Sequence, residues 1–299
     1  MTRIWKSEAG ARAVQARYLE FLQHWPVPNR QLRVRTGQGE TFIVACGPEG
    51  APPILLLQGS GANAVMWMGD VAAWAVHFRV YAIDLIGEPG LSAPSRPPLG
   101  SDAYALWLDD VMQALSLPRA SIVGVSLGGW VALDYATRRP ERVERLVLLA
   151  PSGVGRQKRG FLLKALPVLL LGAWGRRRAM RTLAGRTPAQ APPPNPHFAA
   201  FVSLIFEHFR PRREPIPRFS DERLERLSMP VMLIAGGSDP LLDSEETQRR
   251  LERWAPRLTV RLLPEAGHVL FGQTAPILEF LSERSASAAA SSRSPGYAT

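Results

Sequence analysis

The strongest constraint on how this chain folds is a rhythm that begins at residue 52. Short, largely apolar runs recur, several closed by glycine-bearing turns. Ile54–Leu57 runs into Gln58-Gly59-Ser60-Gly61, Val80–Ile86 into Gly87-Glu88-Pro89-Gly90, and Ser121–Val125, Val143–Ala150 and Val231–Ala235 follow. A strand with one wet face alternates apolar and polar residues; these runs do not, so both faces are buried, as in a parallel sheet. Leu258–Leu263 is a sixth, more alternating run. Helical patterns near 101–116, 127–138 and 243–254 lie between several of the runs. Strand alternating with helix predicts an α/β fold built on a doubly wound sheet.

The flanking segments read differently. Val14, Tyr18, Leu22 and Trp25 recur at helical spacing over residues 7–25, and Pro26 and Pro28 stop that helix. Strands near 31–36 and 41–46 follow, joined by a Thr36-Gly37-Gln38-Gly39 turn. Residues 155–220 break the alternation: an apolar helix-like piece (161–174), a basic run (Arg176, Arg177, Arg178, Arg181), a proline-rich linker (192–196) and a second helix-like piece (198–209). The expected organisation is a helical extension (1–30), a core (31–154 and 221–284), a helical cap (155–220) and a disordered Ser/Ala-rich tail (285–299).

Composition narrows the function classes. The single cysteine, Cys46, allows no internal disulfide. The N-terminus lacks the apolar core of a secretory signal, and the longest apolar stretch, Phe161–Trp174, is interrupted by Lys164 and Pro167. A soluble, cytoplasmic protein is expected. The formal net charge of +10 raises nucleic acid as a partner. The charge is diffuse, no zinc-finger or RNA-binding spacing accompanies it, and no nucleic-acid partner is expected.

The chemistry concentrates in Gly124-Val-Ser126-Leu-Gly128, at a strand-to-helix junction. In such a turn the serine is strained, flanking glycines let strand and helix cross, and the hydroxyl stands above the sheet. The amide of Leu127 then faces a developing oxyanion. The plain alternative is a glycine-rich turn with an idle serine. A serine nucleophile needs a base. Of five histidines, only His268 follows a late strand, after Gly267, at the sheet end where ligands gather. The orienting carboxylate falls between them in this order of chain, and Asp239 stands at the tip of a strand ending in two glycines. Asp239-Pro240 also reads as a simple turn initiator, and Asp243 competes for the role. Ser60 N–H, in the glycine-bearing loop after the first buried strand, is the second oxyanion donor, with Gln58, Gly59 and Trp130 as neighbours expected to touch substrate.

Across residues 54–280 the chain resembles the α/β-hydrolase superfamily, and within it the bacterial carboxylesterase-like members. The resemblance rests on Leu55-Leu-Leu-Gln-Gly59, Ile83-Asp84-Leu-Ile-Gly87, Gly124-Val-Ser126-Leu-Gly128-Gly129, Arg139-Pro140-Glu141-Arg142-Val143, Gly236-Gly-Ser-Asp239 and Ala266-Gly267-His268. It implies a mostly parallel, twisted, eight-stranded sheet with helices on both faces and a helical cap inserted after strand six. It implies ester hydrolysis with Ser126 as nucleophile, His268 as base, Asp239 as the orienting acid, and Leu127 and Ser60 as oxyanion donors. Two departures stand out: Gln58-Gly59 replaces the usual His-Gly, and Gly87-Glu88-Pro89-Gly90 replaces a shorter G-x-G.

No metal or organic cofactor is expected, for the sequence holds no H-E-x-x-H, no Cys–His cluster and no phosphate loop. The partner is a small-molecule ester, and the chain a monomer or homodimer. Leu162 and Leu166 are candidates to line an acyl pocket, or they only pack the cap onto the body. The cap's arginines read as an anion-attracting face, a membrane-surface contact or a plain solvated surface. Thioesterase, lactonase, carbon–carbon bond hydrolase and acyltransferase share the residue order. A binding protein on this scaffold is the rival of another class.

Overall fold

The computed structural model describes residues 4–158, 175, 178, 182, 183, 185 and 195–283. The strands are β1 (Asn29–Thr36), β2 (Gly39–Cys46), β3 (Pro53–Leu57), β4 (Arg79–Ile83), β5 (Ala120–Val125), β6 (Val143–Leu149), β7 (Val231–Gly236) and β8 (Leu258–Leu263). The helices are α1 (Glu8–Gln23), α2 (Val71–Trp74), α3 (Ala103–Ala114), α4 (Leu127–Arg138), α5 (Pro196–His208), α6 (Asp221–Leu224), α7 (Ser244–Trp254) and α8 (Thr274–Ser282). The strands form one eight-stranded sheet in the order β1-β2-β4-β3-β5-β6-β7-β8. Only the β1–β2 and β2–β4 pairings are antiparallel. The helices of residues 64–67 and 274–282, and α6, are additions to the sequence reading.

The apolar runs are buried on both faces for the reason their composition suggested. Alternation along each strand sends Leu55, Leu57, Leu146 and Leu148 into one core with Trp107, Leu108 and Leu133. It sends Ile54, Leu56, Val147 and Leu149 into the other with Tyr18, Trp74 and Phe201. β1 lies at the sheet edge and carries Arg30, Arg33 and Arg35, charges that discourage further strand pairing. Among the described residues no helix is long and apolar enough to cross a membrane.

Two segments outside the strand–helix alternation pack on one another. Asn195 caps α5 by accepting from His197 N–H, and Pro196 occupies its first turn, where a missing N–H costs nothing. The helix buries Phe201 and Ile205. Phe201 lies 5.1 Å from the Phe21 ring and 6.4 Å from that of Tyr18 on α1. α5 falls between β6 and β7, in the expected cap; the apolar piece at 161–174, with Leu162 and Leu166, lies outside the described residues.

Tyr18 also begins the polar network that holds the sheet's C-terminal loops. Its hydroxyl donates to Asp84 Oδ1 at 3.0 Å. Asp84 lies just beyond β4, fully buried, and accepts from Ala64 N–H at 2.9 Å and Leu91 N–H at 2.8 Å. One carboxylate thus ties α1 to both loops beside the nucleophile turn. Burial pushes this carboxyl up from 3.8 to about 6, against the lowering effect of Leu91, Ala64, Tyr18 and Arg33. A carboxyl raised in the folded state contributes stability that is complete below the unfolded value and is lost as pH rises through the folded one. Between pH 4 and pH 7 the unfolding free energy should therefore fall by roughly 3 kcal/mol through this group. Urea titrations across that range should give a flatter pH dependence for Asp84→Asn than for the unchanged protein. Tyr18→Phe deletes one donor to a buried acceptor and should cost about 1–3 kcal/mol at pH 7, read from the same titrations.

Candidate active site

The site is built at the C-terminal ends of β3, β5 and β7 and in the loop after β8. β5 ends at Val125, α4 begins at Leu127, and Ser126 alone makes the turn between them. Its φ of 51° and ψ of −109° put a non-glycine residue in a conformation that costs of order 1–3 kcal/mol. The surroundings hold it there: Ser126 N–H donates to Leu149 O at 2.9 Å, and its carbonyl accepts from Trp130 N–H at 3.0 Å and Ser152 N–H at 3.1 Å. The flanking glycines are required by contact. A Cβ on Gly124 would lie 2.5 Å from Gly128 O, and one on Gly128 only 2.2 Å from Leu57 O. That second contact lays the start of α4 directly on the loop after β3.

Ser126 Oγ lies 3.0 Å from His268 Nε2, and His268 Nδ1 lies 2.8 Å from Asp239 Oδ2. Asp239 is 2% exposed, and its other oxygen accepts from Leu241 N–H at 2.7 Å and Leu242 N–H at 3.1 Å. A carboxylate held this way is fixed in orientation and accepts from the histidine, which puts the histidine proton on Nδ1 and turns the lone pair of Nε2 to the serine. Asp243 is occupied elsewhere: it caps α7 by accepting from Glu246 N–H at 2.9 Å. Lys158 and Leu183, in the segment between β6 and α5, reach this side. Lys158 Nζ donates to Asp239 O at 2.9 Å, and Leu183 O accepts from His268 N–H at 2.6 Å.

The loop after β3 runs beside the serine. A Cβ on Gly59 would come within 3.5 Å of Ser126 Cβ. Among the described residues neither Ser60 N–H nor Leu127 N–H has an acceptor. Two backbone donors are therefore free next to a serine hydroxyl that is bonded to a histidine.

Two residues expected to touch substrate do not. Gln58 is fully buried; with its amide nitrogen turned toward β4, it donates to Ile83 O at 2.6 Å and accepts from Leu85 N–H at 2.7 Å. Trp130 is 1% exposed, donates Nε1–H to Pro217 O at 2.9 Å, and packs against Tyr104 and Phe219. Both side chains are spent on the interior: Gln58, just past β3, on the end of β4, and Trp130, in the first turn of α4, on the packing around Pro217. Two neighbours of the loop escaped the sequence reading. Glu88, 1% exposed, accepts on Oε2 from Gly61 N–H at 2.7 Å and from Ser60 Oγ at 3.2 Å. Its one signal was an acidic residue in a turn where a short G-x-G is usual. Phe206 of α5, 42% exposed, reaches over Gly61, where a Cβ would stand 4.0 Å from its Cζ.

Residues 54–282 match the model of the alpha/beta hydrolase family. The chain is 31% identical over 266 residues to the carboxylesterase YbfK of Bacillus subtilis, covering 88% of this chain and 89% of that one. It is 30% identical over 268 residues to the uncharacterised carboxylesterase nap of the same organism, covering 88% of each. Its fold superposes on the crystal structure of carboxylesterase CesB (YbfK) with a TM-score of 0.79, at 27% identity and over 92% of this chain and 99% of that one. The naproxen esterase (carboxylesterase NP) of B. subtilis gives a TM-score of 0.79 at 28% identity, over 92% of this chain and 97% of that one. With this likeness over nearly its whole length, the chain belongs to the α/β-hydrolase family.

Proposed function

We propose that this protein is a carboxylesterase that cleaves small-molecule esters through a covalent acyl-enzyme on Ser126. The observation that carries the reading is the continuous path Ser126 Oγ–His268–Asp239, with contacts of 3.0 and 2.8 Å, beside two free backbone amides. The relatives named as carboxylesterases, matched over most of both chains, support the ester as the bond cleaved.

The geometry leads to a definite sequence of proton movements. Ser126 Oγ attacks the ester carbonyl carbon while its proton passes to His268 Nε2. The imidazolium so formed is stabilised by the carboxylate of Asp239, which holds its Nδ1–H. The carbonyl oxygen takes up the negative charge and is met by the N–H groups of Leu127 and Ser60, each such donor accounting for roughly 2.7–4 kcal/mol. As the tetrahedral adduct collapses, His268 returns its proton to the departing alkoxide, and the alcohol leaves. Water then enters, gives a proton to His268 Nε2 and attacks the acyl carbon. Collapse of the second adduct frees the carboxylic acid and restores Ser126 O–H.

The test is labelling with a fluorophosphonate followed by peptide mass spectrometry, beside turnover of p-nitrophenyl esters. Label should sit on Ser126, and Ser126→Ala and His268→Ala should abolish it and lower kcat by several orders of magnitude. Asp239→Asn should keep the fold and lower kcat by roughly 10⁴-fold, because the amide favours the wrong histidine tautomer. Well-folded protein that neither takes up label nor turns over ester would sink the reading.

A further inference from the structure

We infer that Glu88 is a positioning residue for the reaction: its buried carboxylate clamps Ser60 Oγ and Gly61 N–H, and thereby holds the Ser60 amide where the oxyanion forms. The inference rests on the esterase reading above, since it assigns a role within that site.

In the loop 58–64 the stretch that carries the Ser60 amide has no side-chain tether of its own, for Asn63 fastens only the far end. Gly59 and Gly61 give it freedom, and Gly61 sits at φ 74°, in the left-handed region. Its two ends are held by other groups: Gln58 by the β4 backbone and Ala64 by Asp84. Asn63, near the far end, donates its amide to Pro89 O at 3.0 Å, and among the described residues Glu88 supplies the side-chain bonds to Ser60 and Gly61. It accepts from the Ser60 hydroxyl and from the N–H of the Ser60–Gly61 peptide, which is joined through Ser60 Cα to the peptide carrying the Ser60 amide. Moving the Ser60–Gly61 peptide moves the Ser60 amide with it, and a donor displaced by a fraction of an ångström no longer meets an oxyanion.

A carboxylate is an expensive choice for this task. Burial pushes Glu88 up from 4.5 to about 7, despite the lowering effect of Gly61, Arg96, Ser60 and Arg212. The titratable and charged groups facing it come from its own loop and from two further elements. Arg96, in the loop after β4, donates to Gly87 O at 2.9 Å and to Arg210 O at 2.7 Å and covers the Phe209 ring. Arg212, ahead of α6, donates to Tyr104 OH at 2.8 Å and Pro97 O at 3.2 Å and pairs with Glu214. Tyr104, on α3, completes the set, its phenol raised to about 12 by burial. The arginines are themselves tied to backbone and to Glu214, so they steady the carboxylate without drawing it off the loop. A group kept only for stability would not be a desolvated carboxylate, because the neutral isostere costs less to bury. The charge strengthens the bonds to the loop, and that is the property the site uses.

The experiment is Glu88→Gln, with kcat and KM for p-nitrophenyl butyrate normalised to active sites titrated with diethyl p-nitrophenyl phosphate, so that a partly folded sample still reports. A trifluoromethyl ketone supplies the affinity for a tetrahedral adduct. At pH 8 the substitution should lower kcat by roughly 10- to 100-fold with KM within twofold, and weaken the ketone by the same factor. The melting temperature should stay level or rise, because a raised carboxyl lowers stability above its folded value. The unchanged enzyme should lose kcat as pH falls through about 7, and the variant should lack that component. The inference is overturned if kcat stays within threefold, if only KM changes, or if activity falls only in step with titrated sites and melting temperature. If the unchanged enzyme turns over no ester, the esterase reading fails instead.

Discussion

A strand ends and a helix begins with one residue between them, and that near-contact of backbones sets the position of everything else at the site. Because α4 starts within touching distance of Leu57 O and Gln58 O, the helix and the loop after β3 cannot move independently. The backbone strain at Ser126 is held by Leu149, Trp130 and Ser152, which belong to β6, α4 and the chain just past β6. Sheet register therefore fixes the serine, and the serine's place decides which loops lie beside it. The histidine and aspartate come from β8 and β7, which pair in parallel with Gly236 opposite Leu263, so their loops emerge at the same level.

Two buried carboxylates then fasten what the sheet leaves loose. Asp84 holds Ala64 and Leu91, and Glu88 holds Ser60 and Gly61; both are raised by desolvation, to about 6 and about 7. Each lowers stability at neutral pH relative to a neutral substitute, a cost that structures accept where geometry must be held for chemistry. Asp239, like Asp84, is buried with three donors on its two oxygens, but one of those donors is the catalytic candidate His268.

What the sequence disclosed follows the range of the interactions involved. Strand-end motifs are local, so Gly124-Val-Ser126-Leu-Gly128, Gly236-Gly-Ser-Asp239 and Gly267-His268 could be read without a fold, as could the doubly wound sheet. The choice between Asp239 and Asp243 needed the structure, which gives Asp243 the task of capping α7. Gln58 and Trp130 were misread because nearness in sequence was taken for direction in space. Glu88 was legible only as an oddity, since its partners stand 27 and 28 residues away. The packing of α5 on α1, through Phe201, Phe21 and Tyr18, depends on a contact across most of the chain and left no local mark.

The two departures from the usual family pattern share a physical logic. A histidine at position 58 would carry a titratable ring into the loop's base; Gln58 is neutral, its amide donating to Ile83 O at the end of β4 and accepting from Leu85 N–H just past it. It anchors the start of the loop and can contribute nothing further along it. The turn after β4 is longer by comparison, and the extra residues bring Glu88 alongside Ser60 and Gly61. Support for the loop's middle thus comes from the neighbouring turn. In this chain a buried glutamate, its carboxyl pushed up to about 7 by desolvation, is bonded to the hydroxyl of Ser60 and to the amide of Gly61, in the loop that runs beside the nucleophile.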